Sequence, residues 1–232
     1  MNGIGDGSGR ERPRARSSLL DRYILQPDVR ERHEVTIQAP PSVVLEVARA
    51  FDMQSIPLVR AIIWVRARVL GARGTPARPV TGLVAELLAL GWGRLEDVPD
   101  RWFIAGAACR PWHANVIFTA IPPDQFATFS APDRVKIAWT LEAEPLDSGR
   151  TRFVTETRAV ATDEVARGKF RRYWRKFGIG VAAIRWLMLP ALRREAERRW
   201  RHDRGGLGDS APRTPTRGGG LTPTLKEIQH ER

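Results

Sequence analysis

Residues 163–203 read DEVARGKFRRYWRKFGIGVAAIRWLMLPALRREAERRWRHD, and the spacing within them decides the fold. Phe170, Trp174, Phe177, Val181, Ile184, Met188 and Ala191 recur at alternating steps of four and three, which places them all on one face of an α-helix. Thr162 is positioned to cap the start. Asp163 and Glu164 fall in the first turn, where the helix dipole favours negative charge. Arg193, Arg194, Arg198, Arg199 and Arg201 crowd the other end, where it favours positive charge. Pro190 lacks an N–H and clashes with the preceding turn, so a kink is expected near residues 186–190. A long helix with one apolar face needs something concave to lie against.

The preceding sequence supplies a sheet. After Gly91 the hydrophobic period changes from helical to alternating, and 92–98, 101–110, 114–121, 134–144 and 150–161 read as strands separated by turn signals. The clearest is 134–144, where Val135, Ile137, Trp139, Leu141 and Ala143 alternate with more polar neighbours and define an inward face. Upstream, His33–Ala39 alternates as a further strand and is stopped by Pro40 and Pro41. Three helical stretches follow: about 42–51, 55–70 (ended by GARG) and 82–90. The first strand must therefore reach the sheet across a helical block. Such a sheet needs cover on at least one face, and the last helix supplies it.

Composition narrows the function. The chain has 232 residues, enough for one sizeable core with tails, and its single cysteine excludes a disulfide framework. No stretch at the start has the apolar run of a secretory signal, and no apolar run is long enough to span a membrane, so a cytoplasmic location is expected. Of the net charge of +12, residues 162–204 carry +8, with 13 Lys and Arg against 5 Asp and Glu. The globular part is near neutral, which argues against a general nucleic-acid binder and leaves open a local anionic partner such as a membrane surface. Residues 1–18 are expected to form a disordered arm, 19–204 a ligand-binding domain and 205–232 a disordered tail.

Three local patterns carry a resemblance. ERHEVTIQAPPSVV (31–44), LEAEPLDSGRTRFVTETRAVATD (141–163) and KFRRYWRKF (169–177) are similar to the first strand, the last hairpin and the start of the closing helix in the START/polyketide-cyclase-like (SRPBCC) superfamily. The order strand, helices, antiparallel meander, long helix also resembles its helix-grip fold, an α+β architecture in which the sheet wraps around the C-terminal helix. The resemblance covers about residues 20–200 and departs from the usual pattern in the long segment 55–90. It implies non-covalent binding of a hydrophobic small molecule or lipid between sheet and helix. An aromatase/cyclase-like enzyme and a membrane-surface accessory protein are the alternatives.

The ligand wall expected on that basis comprises Ile137, Trp139 and Leu141 on the sheet and Phe177, Val181, Ile184 and Met188 on the helix. Gly178 and Gly180 either make room for a ligand or allow close packing. Glu156 is the candidate polar anchor. If the DSGR turn pairs Asp147 with Arg150, Glu156 faces Leu141 on the inward side, with Arg158 two residues on as its partner. A one-residue bulge reverses this, leaving an internal ion pair or a solvent-facing carboxylate. His113 is the histidine expected at a rim, either as an acid–base group or as an ordinary loop residue. No metal-ligand spacing, phosphate loop or nucleophile motif is present, so neither metal nor cofactor is expected. Around Trp186 and Leu189 the helix is apolar beyond one face and has basic flanks. That pattern suits an anionic membrane, a homodimer or cover from the helix at 55–70.

Overall fold

The computed structural model describes residues 17–71 and 81–208, without the side chains of Gln54 and 205–208. The tail beyond 208 and most of the arm expected at 1–18 lie outside the described residues. The elements run β1 (Val29–Ile37), α1 (Pro41–Ala50), α2 (Pro57–Leu70), α3 (Leu83–Ala89), β2 (Gly93–Val98), β3 (Trp102–Cys109), α4 (Pro123–Phe126), β4 (Val135–Asp147), β5 (Arg150–Ala161) and α5 (Glu164–Gly208). All strand pairings are antiparallel, in the order β1-β5-β4-β3-β2. With the long C-terminal helix across it, the sheet makes an α+β helix-grip fold.

Side-chain alternation assigns the two faces. The odd-numbered residues Trp139, Leu141 and Ala143 of β4 and Phe153 of β5 join Val44, Ala48, Met188, Leu189 and Leu192 in one apolar cluster. The even-numbered side is also covered. Leu20 from a short 3-10 turn at Leu19–Arg22, and Tyr23 and Ile24 just after it, pack there with Ile104, Ala138 and Phe126. Gly106 permits this, because a Cβ at that position would stand 2.5 Å from the Phe126 ring.

Several expectations are corrected. The first strand starts at Val29 rather than His33, and Ser18, expected in the disordered arm, is buried and caps the Leu19–Arg22 turn, accepting from the Leu20 N–H at 3.1 Å. Residues 114–121 form no strand, only a bridge in which Ala108 and Thr119 exchange N–H···O bonds of 2.9 Å. The reason is occupancy: β2 already pairs residues 102–106 of β3, leaving only the end of that edge free. Asp163, not Thr162, caps α5, accepting the Ala166 N–H at 2.7 Å, while Thr162 Oγ1 donates to the Arg134 carbonyl at 3.0 Å. The helix then continues through Pro190, which lies on its exposed side.

Because the outer face of the sheet is closed by the N-terminal turn, that turn belongs to the core. Leu20, with no exposed surface, is its anchor. Leu20→Ala should cost about 2–5 kcal/mol, the range for a fully buried leucine. A chemical-denaturation midpoint checks this, and an unchanged midpoint would mean the turn is detached in solution.

Candidate functional site

Helix α5 grips the sheet at two places and leaves a stretch between them loosely covered. At its start, Phe170 and Tyr173 are buried against Val135 and Ala159. Further on, Met188, Leu189, Leu192 and Ala196 are buried in the main cluster. Between these anchors, Val181, Ile184 and Arg185 are only half-buried. The sheet beneath is half-buried too, at Ile137 and Thr157, although both lie on central strands. Residues in the middle of a sheet and under a helix stay accessible only where the two surfaces do not close on one another.

A polar group sits in this gap. Arg185 Nη2 donates to Thr157 Oγ1. Thr157 pairs with Glu31 on β1, so both side chains share the helix-facing side. Glu31 Oε2 in turn lies 3.3 Å from His33 Nε2. Burial pulls the Arg185 pKa down, and the Glu31 carboxylate works against that. No carboxylate of the described residues reaches within ion-pair distance of the Arg185 guanidinium. Its charge therefore persists, because a guanidinium does not deprotonate in proteins, and it is compensated at a distance rather than by contact.

The sequence-derived wall is brought together in part. Val181 and Ile184 are half-buried on the span between the anchors, Ile137 and Phe177 pack half-buried against the Phe170–Tyr173 cluster, and Trp139, Leu141 and Met188 are buried in packed core. The two glycines are explained by packing. A Cβ on Gly178 would stand 2.8 Å from the Trp174 indole, and one on Gly180 would stand 3.2 Å from Ile62 of α2. Gly180 is thus where α2 crosses α5. Arg185 is the residue that sequence reading passed over. It is the one charged side chain within Gly178–Leu192, and a lone charge in an apolar run was the available signal.

Glu156 lies on the opposite face. The hairpin starts in the expected register, Asp147 with Arg150, but pairing shifts by one residue between Pro145 and Asp147, so that Glu156 stands opposite Thr140 rather than Leu141. There it is 1 % exposed and accepts from Arg158 Nε at 2.7 Å, Arg32 Nη1 at 2.8 Å, Arg30 Nε at 2.9 Å and Ser18 Oγ at 2.9 Å. Arg158 also binds the Ile24 carbonyl at 2.6 Å and Asp21 at 2.7 Å, tying the N-terminal turn to the sheet. Burial alone would raise the Glu156 pKa, but the hydrogen bonds from Arg158, Arg32 and Ser18 outweigh it and hold the carboxyl below its ordinary value.

Other candidates carry less chemistry. His113 is exposed and meets Trp112 edge-on. Burial pushes the Cys109 thiol up to about 12, which leaves it un-ionised at neutral pH. Among the described residues no His, Cys, Asp and Glu side chains group as a metal site. Two surface grooves flank α1, one of about 400 Å³ beside α5 and one of about 540 Å³ beside β2. Neither is lined by the gap residues.

No family model matches the chain, and no curated protein matches its sequence. Among solved structures it is similar to a hypothetical protein from Helicobacter pylori, with 11% identity, 84% of this chain and 99% of that one covered, and a TM-score of 0.38. It is also similar to the Zhui aromatase/cyclase from a Streptomyces species, with 16% identity, 74% and 94% covered, and a TM-score of 0.25. The fold assignment rests on strand order and helix placement rather than on either likeness.

The Glu156 cluster sets an expected pH response. Because its pKa is lowered in the folded state, its stabilisation is fully present above the ordinary value of 4.5 and lost as pH falls through the lower folded value. Glu156→Gln should cost about 1.5–3 kcal/mol at neutral pH, the worth of hydrogen bonds to a charged group, and should flatten the acid limb of stability. Urea midpoints measured from neutral to acid pH check both. A variant that keeps the parent's steep acid limb would assign that limb to other carboxylates.

Proposed function

We propose that this protein binds a hydrophobic small molecule or lipid non-covalently between α5 and the sheet, with an anionic end of the molecule at Arg185. The observation that carries the reading is the half-buried arginine between apolar stretches of α5, answered by the Thr157 hydroxyl but by no contacting carboxylate. Ile137, Phe177, Val181 and Ile184 offer the aliphatic and aromatic surface that such a molecule would cover. A carboxylate, sulfonate or phosphate on the ligand would supply the charge-assisted partner that Arg185 lacks. The low-dielectric surroundings strengthen that attraction and so offset part of the cost of desolvating the two charges.

One observation favours an enzyme of the cyclase kind as the second reading. Glu31 and His33 form a carboxylate–imidazole pair on the same side of β1, beside Thr157. A histidine oriented by a carboxylate can move a proton on a bound molecule, and the gap would hold that molecule in one conformation. His33→Gln separates the two readings, since a carrier keeps its ligand affinity and an enzyme loses turnover.

The test uses two substitutions and two environment-sensitive dyes, one neutral and one a sulfonate. Val181→Phe should fill the gap, so stability holds or rises while uptake of both dyes falls. Arg185→Gln should weaken only the sulfonate dye, by about tenfold to a hundredfold, the equivalent of about 1.5–3 kcal/mol. A Val181→Phe protein destabilised by about 1–3 kcal/mol with unchanged dye uptake would mean the gap is packed core and would refute the proposal.

A further inference from the structure

The outward face of α5 presents a continuous stripe of its own. Arg172, Arg175, Lys176, Ile179, Ala183, Trp186, Pro190, Arg193 and Arg194 follow one another at helical spacing, basic at both ends and apolar in the middle. Ile179 is 85 % exposed and Trp186 is 71 % exposed, a costly placement for an isoleucine and a tryptophan that face nothing. Beside them α2 adds Leu58, Trp64, Val65 and Val69, all exposed, and buries only Val59. The two helices touch where Ile62 meets Gly180 and where Arg66 donates to the Tyr173 hydroxyl at 3.0 Å.

The charge pattern is one-sided. Residues 56–71 contain no Asp or Glu, and neither do residues 165–194, which carry nine Lys and Arg. Arg60, Arg68, Arg171, Arg172, Arg175, Lys176 and Arg194 make no ion pair with any described residue. Other arginines of the fold are paired with carboxylates: Arg152 with Glu144, Arg198 with Glu195 and Arg199 with Glu46. An acid-free surface of this kind repels a second copy of itself, which weighs against a symmetric dimer through the same stripe. No helix of the described residues is long and apolar enough to cross a membrane.

We infer that the α2–α5 surface docks the protein on an anionic lipid bilayer, with Ile179 and Trp186 inserted at the interface and the basic ends of the stripe over lipid headgroups. A helix lying in the interface plane buries one apolar strip and keeps its cationic side chains at headgroup level, and the exposed length of α5 is arranged in that way. Trp64 and Trp186 are of the residue type that favours the boundary between headgroups and chains. Docking of this kind puts the gap beneath residues 181–185 next to the bilayer. The inference stands on different residues from the ligand reading and does not depend on it.

Cosedimentation of the full chain with vesicles tests it, using phosphatidylcholine alone and phosphatidylcholine mixed with phosphatidylserine. Binding is expected only to the mixed vesicles and should weaken as salt rises. Removing one headgroup contact, with Arg172→Ala or Arg194→Ala, should lower the partition about fivefold, the equivalent of about 1 kcal/mol per basic residue. Trp186→Glu should abolish binding. These residues are exposed, so the melting temperature should not change. Equal binding to both vesicle types, or binding to neither, overturns the inference. A concentration-dependent dimer that Trp186→Glu disrupts, with no vesicle binding by the parent, would assign the stripe to a second copy and overturn it equally.

Discussion

The one-residue shift in pairing between Pro145 and Asp147 sets the face to which every side chain of β5 points. Proline has no N–H to give to a ladder, so the strand end that carries it is a natural place for the register to slip. With the slip, Phe153, Thr155 and Thr157 point toward α5, and Val154, Glu156 and Arg158 point the other way. Without it, the Glu156–Arg158 pair would face the apolar cluster around Trp139 and Leu141. Both faces of the sheet follow from this single offset.

On the outer face the consequence is electrostatic. Glu156 and Arg158 are almost completely buried, and burying two charges costs more than their attraction returns unless the remaining lone pairs and protons are satisfied. Here they are satisfied by Arg30 and Arg32 from the edge strand and by Ser18, Asp21 and the Ile24 carbonyl from the N-terminal turn. The cluster therefore requires β1 and the turn to be docked together. Tyr23 and Phe126 close over the apolar part of the same face, with their rings edge to face at 5.8 Å.

On the inner face the consequence is a division of labour along α5. Its apolar anchors at Phe170–Tyr173 and Met188–Ala196 hold it to the sheet, and α1 and α2 brace it from the sides. The span between the anchors is relieved of packing duty, which is why it can carry Arg185 inward and Ile179 and Trp186 outward. The inward charge is tolerable because Thr157 answers it and Glu31 lies close by. The outward apolar residues are the feature that no internal contact explains.

The sequence by itself determined the fold class and the place of the closing helix, since periods of 3.6 and 2 are local properties of the chain. Of the apolar face it read, Phe170 and Met188 are buried, whereas Leu189, read as off that face, is core. It also located the basic charge on that helix, 13 Lys and Arg against 5 Asp and Glu over residues 162–204. Only the tertiary structure decided the face of Glu156, because a bulge changes side-chain direction without changing the hydrophobic pattern on either side of it. Only the tertiary structure revealed the N-terminal turn as core: its leucine, tyrosine and isoleucine have no period of their own and gain meaning from the sheet they cover. The distinction between Trp139, Leu141 and Met188 as packed core and their neighbours as gap lining was equally out of reach. Identical apolar residues at identical spacing are buried or half-buried according to how closely two surfaces approach, and that distance is a property of the assembled fold.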